Sequence, residues 1–443
     1  MTTDKPSRLV PKLRFPEFRD GPTWLAPRLS DLYGFKRTNT LSRDKLNYEA
    51  GTIRNIHYGD IHTKFRPLFR VGDEYVPFIN PDASTNGFDD DAFCDEGDIV
   101  LADASEDLDD VGKAIEVVSL NGEHVVAGTH TILATRRGSV PVVGFGGQLF
   151  QSAAVRSGIK KEAQGAKVYG ISANRISTVP IPVPPTEAEQ QKIAECLGSL
   201  DDLIAAEDRK LEALRQHKEG LMQQLFPQSG ETVPRLRFPE FHNAEEWIPH
   251  KFGDFVVKSF YGTSTSTAKT GQYPVLRMGN MNDGQLDFSN LVYIDLDPQE
   301  FESFRLQKGD ILLNRTNSRD LVGKVSIFDR DLECITASYI VSFRLDEKRI
   351  NPLFCNLMLN TQMQQFQIKL LATPSISQAN INPTTFRTGL DIIIPKLAEQ
   401  QRIAACLSSL DEMLAAQSHK VETLKAHKQG LLQQIFPSLE GNE

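Results

Sequence analysis

The stretch EQQKIAECLGSLDDLIAAEDRKLEALRQHKEGLMQQLFP, which begins at Glu189, recurs from Glu399 as EQQRIAACLSSLDEMLAAQSHKVETLKAHKQGLLQQIFP. The two copies lie 210 positions apart and share 23 of their 39 residues. Identity over that length indicates an internal duplication, and a repeat has to be recognised before any other feature can be assigned to a fold.

Each copy carries apolar residues spaced alternately by four and three positions, which is typical of a coiled-coil seam rather than the broad face of a globular core. This stripe comprises Ile193, Leu197, Leu200, Ile204, Leu211, Leu214 and Leu221 in the first copy and Ile403, Leu407, Leu410, Leu414, Leu424 and Leu431 in the second. We predict two long helices, each about 55 Å in length, that begin after proline-rich runs and end at Phe-Pro. Neither can bury its stripe alone. We therefore expect them to pair antiparallel as a pseudo-twofold body and to help dock partners, with parallel pairing or packing on another subunit as the alternatives.

Polar residues interrupt the stripe at the same places in both copies. Glu207 matches Gln417, and Lys218 matches Lys428. Polar seam residues can fix the register of a helix pair. We predict that charge reversal at Lys218 or Lys428 disturbs helix pairing or subunit assembly before it changes any sequence preference.

A shorter repeat precedes each variable stretch. KLRFPEF from Lys12 matches RLRFPEF from Arg235, and Trp24 and Trp247 keep the same offset of 223. Between the repeats only fragments match, namely Gly97-Asp98-Ile99 with Gly309-Asp310-Ile311 and Val111-Gly112-Lys113 with Val322-Gly323-Lys324, which have the character of hairpin framework. The order is variable, constant, variable, constant. It predicts an α+β protein with two mixed α/β domains (1–185 and 228–395) alternating with two helical spacers (186–227 and 396–443).

Local signals within the variable stretches predict a few elements. Short apolar runs bounded by turn residues favour strands at Gly97–Leu101, Pro141–Phe145 and Gly309–Leu313. Asn351-Pro352 has the form of a helix start, and the pattern after it predicts one helix to about Leu371.

Composition limits the cellular setting. The chain has five cysteines without a CxxC pair, which favours a reduced cytosol over a disulfide framework or a zinc site. No run approaches the roughly eighteen apolar residues of a membrane span, and the N-terminus lacks the apolar core of a signal peptide. We expect a cytoplasmic protein. The net charge of −9 disfavours contact with DNA phosphates except through local basic surfaces or a basic partner.

Motifs of an enzyme are weak. Asn351-Pro352-Leu353-Phe354 lacks the second proline of a base-holding methyltransferase segment, and Gly144–Gly147 is better interpreted as a turn than as a phosphate loop. Asp110 and Lys113 lack the spacing of a nuclease core. His57, His62, His124 and His130 have no metal-ligand spacing, and we expect them to be solvated or to face DNA. We predict no catalytic residues, no metal and no cofactor in this chain.

The arrangement resembles the specificity subunits of type I restriction–modification systems. Four features carry the likeness: the RFPEF starts, Val275–Asn280, Tyr169–Ser172 with Ile376–Gln378, and the proline runs that lead into the Glu-Gln-Gln helices. The resemblance implies that each recognition domain reads one half of a split site in double-stranded DNA. It also implies that the helices dock two copies of an adenine-N6 methyltransferase subunit, and that a motor-nuclease subunit joins for cleavage. S-adenosylmethionine, ATP and Mg would then belong to those partners.

Base reading requires arginine, lysine, amide, hydroxyl or aromatic side chains on loops. We predict DNA contacts in the first domain from Lys36, Arg37, Thr38, Asn39, Arg43, Arg54, Asn55, His57, Tyr58, Lys160, Lys161, Lys167 and Tyr169. In the second domain we predict them from Thr263, Ser264, Thr265, Lys269, Arg277, Asn280, Asn282, Asn314, Arg315, Asn317, Arg319, Ser375, Ser377, Gln378 and Asn380. The acidic runs Asp89–Asp91 and Glu106–Asp110 are expected to face away from DNA or toward a partner.

Two other functions compete with DNA reading. A non-catalytic coiled-coil tether that presents two protein- or carbohydrate-binding domains would suit the acidic charge, although the paired Asn, Arg and Gln clusters disfavour it. A self-contained methyltransferase or nuclease is disfavoured by the missing motifs.

Overall fold

The computed structural model describes residues 9–83, 88, 90–282, 284–374 and 378–439. Asp89, Ser375, Ile376 and Ser377, which carry predictions above, lie outside the described residues. The chain divides into two compact units, the first formed by residues 1–208 and 419–443 and the second by 209–418.

The first unit is a mixed α/β body. Its helices are α1 (Leu29–Leu32), α2 (Tyr58–Thr63), α3 (Phe145–Gln151), α4 (Ala153–Glu162), α5 (Ala173–Ile176) and the N-terminal part of α6 (Glu187–Leu225). Its strands are β1 (Tyr33–Lys36), β2 (Leu46–Asn47), β3 (Ile53–Ile56), β4 (Leu68–Arg70), β5 (Phe78–Ile79), β6 (Ile99–Ala102), β7 (Ala104–Ser105), β8 (Ala114–Ser119), β9 (His124–Ala127), β10 (Thr131–Arg136) and β11 (Tyr169–Gly170). They form sheets in the orders β1-β10-β6-β8-β4, β2-β5-β3-β9 and β11-β7.

The second unit has the same plan with different detail. Its helices are α7 (Pro298–Phe304), α8 (Pro352–Leu359), α9 (Gln362–Leu370), α10 (Pro383–Gly389) and α11 (Leu397–Ile435), of which the last residues belong to the first unit. Its strands are β12 (Ile248–Lys251), β13 (Val256–Tyr261), β14 (Tyr273–Leu276), β15 (Met281–Asn282), β16 (Gln285–Leu286), β17 (Val292–Ile294), β18 (Ile311–Asn314), β19 (Thr316–Asn317), β20 (Val325–Ile327), β21 (Ile335–Thr336), β22 (Ile340–Leu345), β23 (Ala372–Pro374), β24 (Ala379–Ile381) and β25 (Asp391–Ile394). The sheet β13-β22-β18-β20 matches β1-β10-β6-β8, and the parallel pair β14·β21 matches β3·β9.

The two long helices run antiparallel within each unit. In the first unit, Asp208 pairs with Lys425 at 3.0 Å and Asp201 pairs with Lys428 at 2.6 Å, so earlier residues of α6 meet later residues of α11. In the second unit, Leu225 at the end of α6 shares a core with residues near the start of α11. The predicted antiparallel pairing and the α+β class are confirmed. All apolar residues of the predicted stripe are buried or half-buried, whereas their part in partner docking stays a prediction.

The RFPEF repeat is joined to the Glu-Gln-Gln repeat by a buried ion pair. Arg14 donates to both carboxylate oxygens of Glu189 at 2.7 Å, and the Trp24 indole N–H donates to the same carboxylate at 3.1 Å. The second unit repeats this arrangement with Arg237, Glu399 and Trp247. Because residues about 150 to 175 positions apart make these bonds, each arrangement anchors the start of a domain to the start of a long helix.

The Phe-Pro ends of the helices also enter the cores. In the second unit, the Phe226 ring lies 6.2 Å from the Trp247 ring. In the first unit, Phe436 lies 5.9 Å from Trp24. A single helix copy therefore contributes its two ends to the cores of two different units.

Two local predictions are wrong. The run Pro141–Phe145 forms a turn rather than a strand, and α3 begins at Phe145 after Gly144, whose φ is 89°. Short apolar runs fit a buried helix as well as a strand, and here Phe145 and the residues after it pack into the core. The helix predicted from Asn351 to Leu371 is two helices, because Thr361 accepts a hydrogen bond from the N–H of Gln364 and starts a new one. The predicted strands at Gly97–Leu101 and Gly309–Leu313 and the Asn351 cap are confirmed.

A buried carboxylate holds the start of α3. Glu116 accepts hydrogen bonds from the backbone N–H groups of Gly144 at 2.9 Å and Gly147 at 2.6 Å. These amides are the ones that a phosphate loop would offer to a ligand, and here they serve the fold. Burial raises the pKa of Glu116 from 4.5 to about 7, against the lowering effect of the two N–H groups.

This shift predicts a pH-dependent stability of the first unit. A raised folded-state pKa favours the protonated form, so the contribution of Glu116 is fully present below pH 4.5 and is lost as pH rises through about 7. Relative to Glu116→Gln, the wild type should lose up to roughly 3 kcal/mol of unfolding free energy across that window. Urea unfolding followed by Trp24 fluorescence in a Trp247→Phe background would measure it. Parallel pH profiles of the two proteins would contradict the assignment.

Candidate nucleic-acid interface

Polar and aromatic side chains gather at one end of the first unit's sheets. This first polar cluster consists of Asn39, Arg43, Asn55, His57, Tyr58, Asp103 and His130. The Asn39 amide donates to the Asn55 side chain at 2.7 Å, and the Tyr58 ring lies 4.7 Å from His57 and 5.3 Å from His130. The cluster therefore presents hydrogen-bonding and flat aromatic groups together, a combination suited to base edges and sugar-phosphate.

His57 is buried rather than solvated. Its Nδ1 accepts a hydrogen bond from the N–H of Gly59 at 3.1 Å and thereby caps α2. Burial, with the adjacent Arg43 guanidinium, lowers the pKa of His57. The ring is therefore neutral at pH 7, with Nδ1 as the acceptor that the helix start requires.

Arg43 and Lys64 share one buried carboxylate. Asp60 lies 2.9 Å from an Arg43 nitrogen and 3.0 Å from Lys64 Nζ, and its side chain is only 1% exposed. Asp60 therefore holds both cations at this edge of the cluster, where the Asp103 carboxylate offsets the second positive charge. Lys64 also donates to the hydroxyl of Tyr48, whose ring stacks on Tyr75 at 4.4 Å.

The second unit has a more basic cluster in the corresponding place. This second polar cluster consists of Thr263, Arg277, Asn314, Arg315, Tyr339 and Asn380. Arg315 donates to the Asn380 side chain at 3.0 Å and its guanidinium lies 5.5 Å from the centre of the exposed Tyr261 ring. Burial raises the pKa of Tyr339, and the nearby charge of Arg277 partly opposes this.

The two arginines of the second cluster differ from other arginines of this unit in their partners. Within the described part of the chain, neither Arg277 nor Arg315 has a carboxylate oxygen within 4.0 Å, unlike Arg237 or Arg344. An unpaired guanidinium on a polar surface is the group that recognises phosphate or guanine most often. Arg277 and Arg315 thus give this cluster the local positive charge that contact with DNA phosphates would need in a chain of net charge −9.

The family model for the type I restriction modification DNA specificity domain matches residues 28–216 and 245–426. The chain belongs to this family. Its curated relatives include a putative MjaX specificity subunit of Methanocaldococcus jannaschii, 28% identical over 196 residues that cover 43% of this chain and 46% of the relative. The StySPI specificity subunit of Salmonella potsdam is 27% identical over 266 residues, 59% of this chain and 56% of the relative. The matches thus span about half the length of these relatives.

Two solved structures share the fold of this specificity-domain family member. The S subunit of a type I restriction–modification system from M. genitalium aligns over 97% of this chain and 100% of its own, with a TM-score of 0.60 and 13% identity. A chain from a study of complex assembly and conformational transition of the type I R-M system aligns over 94% of this chain and 98% of its own, with a TM-score of 0.52 and 16% identity. At these identities the likeness concerns the fold alone.

Several DNA contacts predicted for this family member use side chains that are already paired. Lys36 lies 3.0 Å from Asp95, Arg54 is bonded to Glu123, and Lys160 is bonded to Asp109. Asn55, Thr263, Asn280 and Asn314 are buried, and Thr38 donates to a backbone carbonyl. Their contact with DNA stays a prediction and would require these bonds to be exchanged.

Other predicted residues lie at the surface. The exposed ones are Arg37, Lys161, Lys167, Ser264, Thr265, Lys269, Asn282, Arg319, Gln378 and Asn380. Tyr169 and Asn317 are half-buried in the short strands β11 and β19, which border the two clusters. The structure thus brings Asn39, Arg43, Asn55, His57 and Tyr58 together, and likewise Thr263, Arg277, Asn314, Arg315 and Asn380. It places Lys36, Arg54 and Lys160 elsewhere.

The sequence prediction missed two cluster members, Asp103 and Tyr339, together with the neighbouring Tyr261, whereas His130 was expected only to be solvated or to face DNA. A signal for the first was present, since Gly-Asp-Ile-Val-Leu-Ala-Asp103 aligns without gaps with Gly-Asp-Ile-Leu-Leu-Asn-Arg315. Phosphate repels an acidic side chain, which makes it an unexpected DNA contact, although aspartate can accept a hydrogen bond from a base amino group.

Other kinds of site are not evident in the described residues. No group of three or more histidine, cysteine or acidic side chains is placed to hold a metal ion there. All five cysteines are free. Among the helices that the structure describes, none combines the length and apolar character needed to cross a bilayer.

Proposed function

We propose that this chain is the non-catalytic specificity subunit of a type I restriction–modification complex and that each unit reads one half of a split duplex target. The observation that carries the proposal is the duplication of one backbone plan with two different polar clusters, one of which holds two arginines without a carboxylate partner among the described residues. A fold repeated for stability alone would have no need of different clusters. Two copies of one scaffold with different contact groups suit a target whose halves differ.

The partners follow from family membership and from the helices. We propose that the paired helices dock two methyltransferase subunits and that motor-nuclease subunits join for cleavage. Adenine-N6 methylation with S-adenosylmethionine, and cleavage with ATP and Mg, would be carried out by those partners in the cytoplasm. Cytoplasmic location is supported by the five free cysteines.

The recognition domains would be residues 1–185 and 228–395, and the spacers 186–227 and 396–443. The long helices at Glu187–Leu225 and Leu397–Ile435 support these boundaries. Among the predicted contacts, those in the two polar clusters and the exposed basic residues around them are the ones that the geometry favours as DNA contacts.

Replacing Arg315 with alanine should weaken binding through one half of the target only. Loss of a guanidinium contact to a base typically lowers discrimination by about ten- to a hundredfold. The complex with methyltransferase subunits should then discriminate less against duplexes altered at the base pair that Arg315 contacts, while it still rejects duplexes altered in the other half. Fluorescence anisotropy at fixed salt would measure both.

Lys308→Ala serves as the control, because Lys308 is an exposed cation of the same unit. It should leave the discrimination against altered duplexes unchanged in both halves of the target. Equal loss of discrimination in both halves with Arg315→Ala would contradict the assignment of one half to each unit.

A further inference from the structure

The residue that directly follows the central strand occupies the same backbone position in both units. The N–H of Asp103 donates to His130 O at 3.0 Å, and the carbonyl accepts from Ile171 N at 2.8 Å. The N–H of Arg315 donates to Tyr339 O at 3.1 Å, and the carbonyl accepts from Ile381 N at 2.8 Å. The preceding residue is also bound in the same way, since its carbonyl accepts a hydrogen bond from the N–H of Gly112 in the first unit and of Gly323 in the second.

The side chains at this matched position carry opposite charges. Positions that maintain the fold keep their chemistry in both units, as Arg14 and Arg237 do with their glutamates. Asp98 and Asp310, five residues earlier, are both buried and both aspartate. A switch from carboxylate to guanidinium inside a retained backbone frame therefore serves no common structural purpose, and it is the change expected where two copies recognise different groups.

Each of the two side chains has a polar atom whose hydrogen-bonding capacity is not used within the described part of the chain. In the described part of the chain, Asp103 Oδ1 and Arg315 Nε are buried atoms without a hydrogen-bond partner, although Asp103 Oδ1 lies 3.4 Å from His130 Nδ1. The Asp103 side chain is 32% exposed, and Arg315 is half-buried. A buried polar atom left unpaired is costly, and a ligand that pairs it recovers that cost.

We propose that Asp103 and Arg315 are matched specificity-determining residues, each reading one base in the major groove. Asp103 would accept a hydrogen bond from the exocyclic amino group of cytosine, and Arg315 would donate to O6 and N7 of guanine. DNA phosphates repel a carboxylate. A carboxylate on a DNA-facing surface is therefore explained if it accepts a hydrogen bond from the amino group of a base. This inference rests on the proposed function and adds the base chemistry that each unit would recognise.

Selection of bound duplexes from a randomised library by the full complex tests the proposal, with the wild type, Asp103→Asn and Arg315→Gln. Carboxamides pair with adenine, so each variant should lose or shift to adenine a single specified base, in opposite halves of the motif. Discrimination at that base should fall by about ten- to a hundredfold while the other bases stay specified. A G·C pair at the Asp103-dependent position of the wild-type motif fits the contact with the cytosine amino group, whereas an A·T pair at that position would overturn it.

Glu106→Gln and Lys308→Gln, both exposed in their units, are the controls and should leave the motif unchanged. If Asp103→Asn is not folded by its thermal transition, Asp103→Ser replaces it, since serine also lacks the carboxylate. Unchanged base ratios in the variants, or changes in the same half, would overturn the inference. A wild-type complex that selects no motif at all would instead contradict the proposed function.

Discussion

Replacing Glu399 with alanine should lower the unfolding free energy of the second unit by about 3–5 kcal/mol, the usual cost of removing one partner of a buried ion pair. The Glu399 side chain is 2% exposed and that of Arg237 is 7% exposed. Without the carboxylate, the Arg237 charge and the Trp247 indole N–H would stay buried with fewer partners. Urea unfolding followed by Trp247 fluorescence in a Trp24→Phe background reports on this unit separately.

The matched control is Glu240→Ala. Glu240 pairs with Arg402 at 3.0 Å, but both side chains are 49% exposed, and such surface pairs contribute about 0–1 kcal/mol. Glu189→Ala should repeat the large effect in the first unit, since Arg14 and Trp24 bond to Glu189 in the same way. If Glu399→Ala cost no more than Glu240→Ala, the ion pair would not anchor the domain to its helix.

Reversing the charge of Lys428 should destabilise the first unit by about 3–5 kcal/mol. Lys428 Nζ lies 2.6 Å from Asp201 and 3.2 Å from the Gln151 side chain, and its side chain is 9% exposed. Glutamate at this position would face Asp201 across the helix pair with little solvent to screen the repulsion. Thermal unfolding, together with gel filtration in the presence of the methyltransferase subunit, would show the loss of stability and assembly. The selected DNA motif should be less affected.

Two further variants distinguish the loss of this buried ion pair from the effect of reversing a charge at the surface. Lys425→Glu alters an exposed pair with Asp208 and should cost about 0–1 kcal/mol. The double variant Asp201→Lys with Lys428→Glu should recover part of the loss, since contacting residues show coupling energies of about 0.5–3 kcal/mol. An additive double variant would mean that the two residues do not interact. Lys218 and Asp411 form the equivalent pair in the second unit, where exposures of 24% and 25% predict a smaller effect.

The helix pair was predictable from sequence because a stripe repeated over 39 residues leaves little choice of partner. The pairing of Lys218 and Lys428 with matching aspartates, Asp411 and Asp201, was not foreseen, although the polar seam positions were noted. The function of the RFPEF arginines was hidden for a different reason. Their glutamate partners lie more than 160 residues away, and sequence periodicity reports only on neighbours along one element.

The candidate interface was only partly predictable. Sequence shows which side chains can donate to DNA but not which of them already donate to a carboxylate, as Lys36, Arg54 and Lys160 do. Asp103 does not stand out in the sequence because donor side chains are the common DNA contacts, whereas a carboxylate contacts DNA only where a base amino group meets it. The error at Pro141–Phe145 arises because five apolar or small residues fit a strand or the approach to a helix equally well, and the deciding group, Glu116, comes from the distant strand β8.

The central claim is that one polypeptide reads two separate segments of duplex with two different domains. Sequencing of N6-methyladenine in host DNA, with and without this chain, tests it most directly. The prediction is methylation that depends on the chain and falls within a motif of two specified blocks separated by a fixed number of unspecified base pairs. A single continuous motif, or a methylation pattern that is the same without the chain, would contradict it.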